Sequence, residues 1–293
     1  MLSVAHAALT VIDVYEQDLL LSFLPLSHTL ERTAGYYLPM MAGAGVAYSR
    51  SVAQLAEDLK LTRPTAMIAV PRIFEKVYGR IQDQMSKRPA PARWLFVATV
   101  SVGWRRFERQ QGRAGRRPSE LAWPLRRRLV ADKVTARLGG RLRLAVSGGA
   151  PLSADIAKVV IALGVPLLQG YGLTETSPVI SVNPIEDNQP ASVGVPLRGI
   201  EVRIGEDYEL LVKTPGAMLG YWNNHAATAQ VIDPGGWLHT GDQARIDGRH
   251  IYITGRLKDI LVLSNGEKVP PGDMEMAIAL DPLFEQVLIV GEG

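Results

Sequence analysis

Cysteine is absent from this chain of 293 residues, so disulfides, thiolate nucleophiles and cysteine metal sites are excluded. That absence suits a reducing cytoplasm. Long hydrophobic runs are absent as well, because none approaches the roughly 20 residues that cross a bilayer. The N-terminus lacks the basic start of a signal peptide and acquires charges early. The sequence therefore predicts a cytoplasmic protein without a membrane span.

A large excess of one charge is also lacking, since the net charge is only +3, but the charge is unevenly placed. Nine arginines stand against Glu108 and Glu120 within residues 105–128, which leaves a local charge of +7 and about −4 elsewhere. Arginine interleaved with tryptophan is typical of some phosphate-binding segments. Acidic residues interrupt this run, however, and such runs are usually solvated faces. We expect no nucleic-acid partner, and peripheral contact with anionic lipid at the inner face of a membrane fits the run better.

Apolar runs of strand length alternate with helical periodicity over the first part of the chain. Strands are predicted at residues 19–24, 46–48, 66–70, 142–146, 165–168 and 179–182. Helices are predicted at residues 2–17, 29–41, 52–61, 72–85, 93–109, 120–138 and 153–163. Strands that are apolar on both faces and alternate with helices are typical of a parallel sheet. The predicted fold class is α/β, a layered and mostly parallel sheet with helices on both faces.

The sequence pattern changes twice further along the chain. After residue 188, short strands at residues 201–204, 209–213 and 250–254 are separated by turn-forming residues, which predicts a small β-barrel-like subdomain. A new helical pattern follows Gly255. We therefore predict an α/β part of a large domain at residues 1–188 and a β-rich subdomain at 189–255. A hinge and the start of a small α+β C-terminal domain would occupy residues 256–293.

Residues 169–178, QGYGLTETSP, hold the most informative pattern in the chain. Gly170 and Gly172 permit unusual backbone angles and close approach of a ligand. Tyr171 offers a flat face for a base, Thr174 a hydroxyl for phosphate oxygens, and Glu175 an oxygen ligand for Mg²⁺. A glycine turn before a helix with a capping threonine would give the same letters. Taken alone, the segment leaves both interpretations open.

Two further turns follow predicted strands, where ligands bind in open α/β sheets. Residues 147–152, SGGAPL, would form a shelf on which a ligand can lie against the backbone. Residues 236–242, GWLHTGD, place Asp242 at the end of a short strand, where a carboxylate can accept both hydroxyls of a ribose. Each is also compatible with a simple turn.

Two isolated residues complete the set of candidates. Arg256 offers a guanidinium fork for ribose or phosphate oxygens, with a solvated surface arginine as the alternative. His28, in LPLSHTLER, stands where a predicted strand ends and a helix begins. A lone histidine is more often structural, but this one falls at the same edge of the sheet as the other groups.

Five motifs follow one another in order: SGGAPL, QGYGLTETSP, GYWNN followed by AT, GWLHTGD and ITGRLKDILVLSNGEKVPP. With them, essentially the whole chain resembles the acyl-adenylate-forming (AMP-binding) superfamily, which contains acyl-CoA synthetases, firefly luciferase and peptide-synthetase adenylation domains. The motifs LPLSHTLER and LSNGEKVPP, with the long helical insert before SGGAPL, make it most similar to bacterial long-chain fatty acid–CoA ligases.

The resemblance implies a role for each matching residue of the first two motifs. Gly149 and Ala150 would line the adenine and acyl side of the site. Tyr171 would pack against the adenine, and its neighbours Gly170 and Gly172 would let the nucleotide approach the main chain.

The resemblance also implies which groups meet the phosphates and the ribose. Thr174 would contact phosphate, and Glu175 would hold Mg²⁺. Asp242 would take the ribose hydroxyls, with Arg256 beside it.

The implied activity is an AMP-forming ligation with ATP, Mg²⁺ and coenzyme A. A fatty acid carboxylate would attack ATP to give an acyl-adenylate, and the thiol of coenzyme A would then take the acyl group. Lys258 matches the hinge about which the small domain rotates between these steps, and His28 would lie near the acyl group and the incoming thiol.

Two parts of the family pattern have no match in this sequence. They are a phosphate loop upstream of a helix like residues 2–12 and a lysine far into the C-terminal domain. We therefore expect an internal fragment that alone is inactive or nearly so in adenylation. The alternatives are an adenylate-forming enzyme that uses another acid or acceptor, a non-catalytic remnant and, less favoured, a nucleic-acid-binding module through residues 105–128.

Overall fold

The computed structural model describes residues 1–262, 268–279, 281, 283–284 and 287–291. A seven-stranded sheet in the order β2-β1-β3-β4-β5-β6-β7 forms its centre. The first five strands along the chain are parallel to their neighbours: β1 (Leu19–Ser22), β2 (Gly45–Tyr48), β3 (Ala66–Ala69), β4 (Leu144–Ser147) and β5 (Leu167–Gly172). Two antiparallel strands, β6 (Val179–Val182) and β7 (Val195–Pro196), extend the sheet beyond β5.

Helices cover both faces of this sheet because the strands are apolar on both sides. Leu21 and Met67 belong to one buried cluster, whereas their strand neighbours Leu20 and Ala66 belong to another, as the alternation of side chains along a strand requires. The helices of the large domain are α1 (Leu2–Leu9), α2 (Leu38–Ala42), α3 (Leu55–Thr62), α4 (Pro71–Ser86), α5 (Ala90–Gln110), α6 (Trp123–Arg126), α7 (Asp132–Thr135) and α8 (Ala154–Ala162). The cluster of Leu21 includes residues of α3, α4, α5 and α8, and the cluster of Leu20 includes residues of α1 and α2.

A second, antiparallel sheet follows in the order β11-β10-β9-β8. Its strands are β8 (Glu201–Ile204), β9 (Glu209–Lys213), β10 (Leu238–Asp247) and β11 (His250–Arg256), and α9 (His225–Val231) lies between β9 and β10 in the chain. Tyr171 of β5 and Ile180 of β6 share a hydrophobic cluster with Val212 and Ile251, so this sheet packs against the antiparallel end of the first. The chain continues with β12 (Leu261–Val262), β13 (Lys268–Val269) and α10 (Pro271–Ile278).

The predicted fold class is confirmed, because a mostly parallel sheet between helices is followed by a small antiparallel sheet. The division of the chain at residues 188 and 255 stays a prediction. No helix in the described part of the chain is long and apolar enough to cross a membrane.

The helix prediction at residues 2–17 was wrong in extent, whereas those at 29–41 and 120–138 had the right extent but are not regular α-helices. The helix at residues 2–17 ends at Leu9, where the Thr10 hydroxyl donates to the Ala7 carbonyl oxygen at 2.7 Å. The helix at 29–41 is a π-helix at Glu31–Tyr37 that runs into α2. The helix at 120–138 is a chain of short α, π and 3₁₀ turns. Hydrophobic spacing predicts which face is buried, but the local hydrogen bonds decide the kind of turn.

The glycine turn expected at the start of residues 169–178 is instead a strand. β5 runs through Gly172, and neither Gly170 nor Gly172 has a φ in the left-handed region. Gly172 is required for another reason: an added Cβ would lie 1.9 Å from the Pro178 carbonyl oxygen, across the β5–β6 pair. The glycines are therefore needed because the neighbouring strand lies close to them, not because the backbone adopts unusual angles there.

Candidate functional site

Residues 169–178, named here the central segment, lie beside the SGGAPL turn. Ser147, the last residue of β4, pairs with Gln169 of β5. A Cβ added at Gly148 would lie 3.6 Å from the Gly170 carbonyl oxygen, so the turn and the segment are adjacent. Gly149 has a φ of +83°, and Gly149 and Ala150 are both exposed. The predicted shelf is therefore open to solvent at the carboxyl ends of β4 and β5, the edge where α/β sheets bind ligands.

The middle of the central segment is tied to the antiparallel sheet through Asp242. The Tyr171 hydroxyl donates to Asp242 Oδ2 at 2.5 Å, and Arg256 Nε donates to Asp242 Oδ1 at 2.9 Å. The Asp242 N–H donates to the Thr240 hydroxyl oxygen at 3.1 Å. The Asp242 side chain is only 8% exposed, whereas that of Arg256 is 57% exposed. The expectation that Asp242 ends a short strand was wrong, because it lies within the ten-residue β10 at an irregularity in its pairing.

Burial, followed by the neighbouring Asp242 charge, raises the pKa of Tyr171 far above its ordinary value. The phenol is therefore neutral and remains a hydrogen-bond donor. The hydrogen bond to Asp242 raises the pKa of the Arg256 guanidinium, which stays charged. An ionised carboxylate offers about four lone-pair positions, and these two donors occupy one on each oxygen. Asp242 thus retains acceptor positions for a diol and is already oriented by its two donors.

The second half of the central segment turns at Thr174–Thr176, a single 3₁₀ turn. The capping threonine is Thr176, because its buried hydroxyl accepts from the Leu173 N–H at 3.2 Å and donates to the Pro178 carbonyl oxygen at 2.6 Å. Thr174 is exposed. The helix with a capping threonine was therefore the wrong alternative, and the Thr174 hydroxyl makes no hydrogen bond among the described residues.

Glu175 is held by the loop that carries the GYWNN motif. Its Oε1 accepts from the Tyr221 hydroxyl at 2.9 Å, and its carbonyl oxygen accepts from the Met218 N–H at 2.7 Å. Burial, followed by the hydrogen bond to Glu175, raises the pKa of Tyr221. The other oxygen, Glu175 Oε2, lies beside this contact and could serve as a ligand.

The donor set fits Mg²⁺ bound together with a nucleotide. Among the described residues, no group of three or more histidines or carboxylates gathers around a metal position. Mg²⁺ prefers to keep several waters and is usually held by one or two carboxylates and by substrate phosphates. A single carboxylate at Glu175 beside an exposed Thr174 is compatible with that mode.

Among the described residues, neither His28 nor Lys258 forms a hydrogen bond or ion pair with another candidate residue. His28 is exposed, and its Nδ1 accepts from the Leu30 N–H at 3.2 Å, which is a local capping contact. The helix that follows reaches the central segment through Thr33, whose hydroxyl donates to the Ser177 carbonyl oxygen at 3.2 Å. Lys258 is exposed in the 3₁₀ turn Leu257–Asp259, directly after Arg256. The roles predicted for His28 and Lys258 stay predictions, and residues 263–267 of the LSNGEKVPP motif lie outside the described residues.

Three contacts were missed in the sequence. Tyr221 holds Glu175, Thr33 reaches Ser177, and Thr240 supports Asp242. Tyr221 and Thr240 lie inside quoted motifs and Thr33 directly follows LPLSHTLER, but the motifs assigned these residues no partner. Tyr221 and Glu175 are 46 residues apart in the chain, and Thr33 and Ser177 are 144 apart. Contacts over such separations cannot be predicted from the local spacing of residues.

The curved antiparallel sheet beside a mostly parallel sheet is the architecture of acyl-adenylate-forming enzymes. The chain belongs to the AMP-binding enzyme family, whose model matches residues 1–222, and the model of the AMP-binding enzyme C-terminal domain matches residues 258–293.

Named relatives share this assignment. The chain is 34% identical to the long-chain-fatty-acid–CoA ligase FadD15 of Mycobacterium bovis over 94% of this chain and 45% of that protein. It is 30% identical to the long-chain-fatty-acid–[acyl-carrier-protein] ligase AEE15 of Arabidopsis thaliana over 94% and 44%. The ATP-bound structure of MatB from Rhodopseudomonas palustris superposes with a TM-score of 0.68 at 23% identity, over 94% and 47%. The chain therefore spans about half the length of these proteins.

Proposed function

We propose that this chain forms the nucleotide-binding part of an AMP-forming long-chain fatty acid–CoA ligase. The observation that carries the proposal is the convergence on the central segment. The SGGAPL turn, Asp242, Tyr221 and Thr33 each contact it, from four separate parts of the chain. A segment that only capped a helix would not need a buried carboxylate, an exposed hydroxyl and a second carboxylate around one edge of the sheet.

ATP is the nucleotide that this arrangement suits. Asp242 would accept the ribose hydroxyls at its remaining lone pairs, and Tyr171 and Arg256 would keep the carboxylate in place. The adenine would lie along the open shelf of Gly149 and Ala150. Thr174 would donate to a phosphate oxygen. Mg²⁺ at Glu175 would neutralise charge on the phosphates.

The reaction has two steps, the first at the α-phosphorus of ATP and the second at the acyl carbon. A fatty acid carboxylate oxygen attacks the α-phosphorus, the bond to the β-phosphate bridging oxygen breaks, and pyrophosphate leaves. The thiol of coenzyme A then loses its proton and attacks the acyl carbon, and AMP leaves. Because charge accumulates on phosphate oxygens, positioning and hydrogen-bond donors supply most of the catalysis. His28 would lie where the thiol approaches, and a rotation at Lys258 would exchange the groups that face the site.

An acyl-carrier protein is a second candidate for the acceptor of the acyl group, since the relative from Arabidopsis is named as a ligase of an acyl-carrier protein. A thioester of either acceptor forms by the same attack on the acyl-adenylate. Supplying the protein with each acceptor, ATP and a long-chain fatty acid, and measuring thioester, distinguishes them. A protein that forms neither product would favour the non-catalytic remnant.

The experiment that tests the nucleotide site is calorimetric titration of the 293-residue chain with ATP and Mg²⁺. We expect binding that Asp242→Asn weakens at least about tenfold, because hydrogen bonds to a charged group contribute about 1.5–3 kcal/mol. Asp247→Asn is the matched control. Asp247 lies on the same strand, is 74% exposed and pairs only loosely with Arg245 at 3.7 Å. Equal affinities for both variants, or no binding by the unmodified chain, would contradict the proposal.

A further inference from the structure

A groove separate from the nucleotide site lies among the helices on one side of the sheet. It encloses about 830 Å³ between α3, α4, the start of α5 and the turns at residues 129–138. Its floor is apolar and comes from all of these elements: Leu55, Leu59, Ile81, Phe96 and Leu138. None of the residues assigned to the nucleotide site lines it. The volume lies in the range of about 300–1,000 Å³ that is usual for small-molecule sites.

The side chains that rim this groove carry charge of one sign only. The cations among its lining residues are Lys60, Lys76, Arg80, Arg88, Lys133 and Arg137, and no acidic residue lines it. None of the six belongs to an ion pair between described residues. Six unpaired cations around one apolar depression repel one another, and an anion placed there would relieve that repulsion.

Three carboxylates near the groove are engaged elsewhere. Glu57 and Asp58 of α3 both pair with Arg50, each at 2.7 Å. Asp132 at the start of α7 pairs with Arg127 at 2.9 Å. Asp83 of α4 is exposed, but it is not among the lining residues. The positive rim is therefore not neutralised by the surrounding helices.

The arginine run at residues 105–128 differs from this rim, because several of its arginines form ion pairs or hydrogen bonds within the protein. Arg109 pairs with Glu120 at 2.9 Å and Arg113 with Glu108 at 3.0 Å. Arg126 donates to the Ala98 carbonyl oxygen at 3.1 Å. The segment that looked most basic in the sequence is partly neutralised, whereas cations scattered over four elements meet at the groove.

We propose that this groove binds an anionic lipid of a membrane surface. The acyl chain would lie on the apolar floor, and the phosphate of the headgroup would meet the cationic rim. The cationic rim and the apolar floor together favour an anionic amphiphile over a nucleic acid. The phosphates of a nucleic acid would contact the rim but would bury no apolar group on the floor. Leu129, a lining residue that is 43% exposed, would enter the lipid layer. This binding is independent of the nucleotide site.

Vesicle sedimentation tests the lipid site directly. The 293-residue chain is mixed with vesicles of phosphatidylcholine alone or with phosphatidylglycerol added. We expect binding only to the anionic vesicles. The double variant Lys76→Glu/Arg80→Glu should bind at least about twentyfold more weakly, since each basic residue near an anionic surface contributes about fivefold. These residues are four apart on one helix, so the substitution replaces one like-charged pair by another and should leave the melting temperature unchanged.

Two further variants make the test specific. Arg116→Glu/Arg117→Glu alters the net charge equally, at exposed arginines outside the groove, and should weaken binding by less than about threefold. Leu129→Ser keeps the charge and should weaken binding about threefold or more. The proposal fails if both charge variants lose binding equally, if anionic vesicles are not bound, or if a random-sequence duplex binds with the same dependence on Lys76 and Arg80.

Discussion

Asp242 is oriented before any ligand arrives, because Tyr171 and Arg256 already donate to its two oxygens. An oriented carboxylate loses little freedom on binding, so more of the interaction free energy appears as affinity. Glu175 differs in one respect. Its hydrogen bond from Tyr221 occupies an oxygen that a metal ion could use, so the tyrosine and the metal compete at that atom.

Tyr221→Phe tests this competition at the residue scale. Removing the hydroxyl leaves Glu175 Oε1 free, and a hydrogen bond to a charged group contributes about 1.5–3 kcal/mol, which predicts at least about tenfold tighter Mg²⁺ binding. The readout is the Mg²⁺ concentration at which ATP binding is half maximal. Tyr252→Phe removes a hydroxyl that donates to Gln189 outside the site and should change nothing. Weaker Mg²⁺ binding by Tyr221→Phe would mean that the tyrosine positions the ligand.

At the scale of elements, the β5–β6 pair fixes the shape of the central segment. Gly172→Ala would place a Cβ 1.9 Å from the Pro178 carbonyl oxygen, and backbone atoms cannot yield as a flexible side chain can. We expect a loss of about 3 kcal/mol or more in unfolding free energy, measured by urea denaturation. Gly79→Ala is the control, because nothing lies within 4 Å of its added Cβ in α4. That helical substitution should stabilise the protein by about 0.5–1 kcal/mol.

A second element-scale prediction concerns the opposite edge of the parallel strands. The Asp18 carboxylate accepts from Arg143 Nε at 2.8 Å, from the Thr65 hydroxyl at 2.7 Å and from the Tyr15 N–H at 2.8 Å. Burial opposes ionisation, but the hydrogen bonds from Arg143, Tyr15 and Thr65 outweigh it and lower the pKa of Asp18 to about 2. The contact therefore joins β1 to the starts of β3 and β4 through a charged group.

The pKa of Asp18 is lower in the folded protein than in the unfolded chain. The stability that the Asp18 contact contributes is therefore present above about pH 4 and is lost as the pH falls towards 2. Asp18→Asn should cost about 2–3 kcal/mol at pH 7 and much less near pH 2.5. Urea unfolding of both proteins at the two pH values measures the difference. Burial raises the pKa of Glu31, which acts in the opposite direction but equally in both proteins. Asp132→Asn, at an exposed pair, should change stability by less than about 1 kcal/mol. A cost for Asp18→Asn that is independent of pH would contradict the account.

For the molecule as a whole, the sequence predicted the parallel core because each strand from β1 to β5 overlaps a short apolar run, although β5 continues beyond its run through Gly172. It predicted a short strand that ends at Asp242 but not the ten-residue β10, whose sequence mixes apolar residues with Gly241 and Asp242. The motif residues were predicted, but the Tyr171–Asp242 bond joins residues 71 apart and follows only from the packing of the two sheets. The lipid groove was not predicted for the same reason, since its cations come from separate helices.

The most direct measurement is a crystal structure of this chain with a non-hydrolysable fatty acyl-adenylate analogue. We expect the ribose hydroxyls of the analogue to bind Asp242 and its phosphate to lie beside Thr174. The adenine should lie along Gly149 and Ala150. A structure in which the analogue binds elsewhere would contradict this prediction. Asp242 would then contact only Tyr171 and Arg256, with no hydroxyl of the analogue at its remaining acceptor positions.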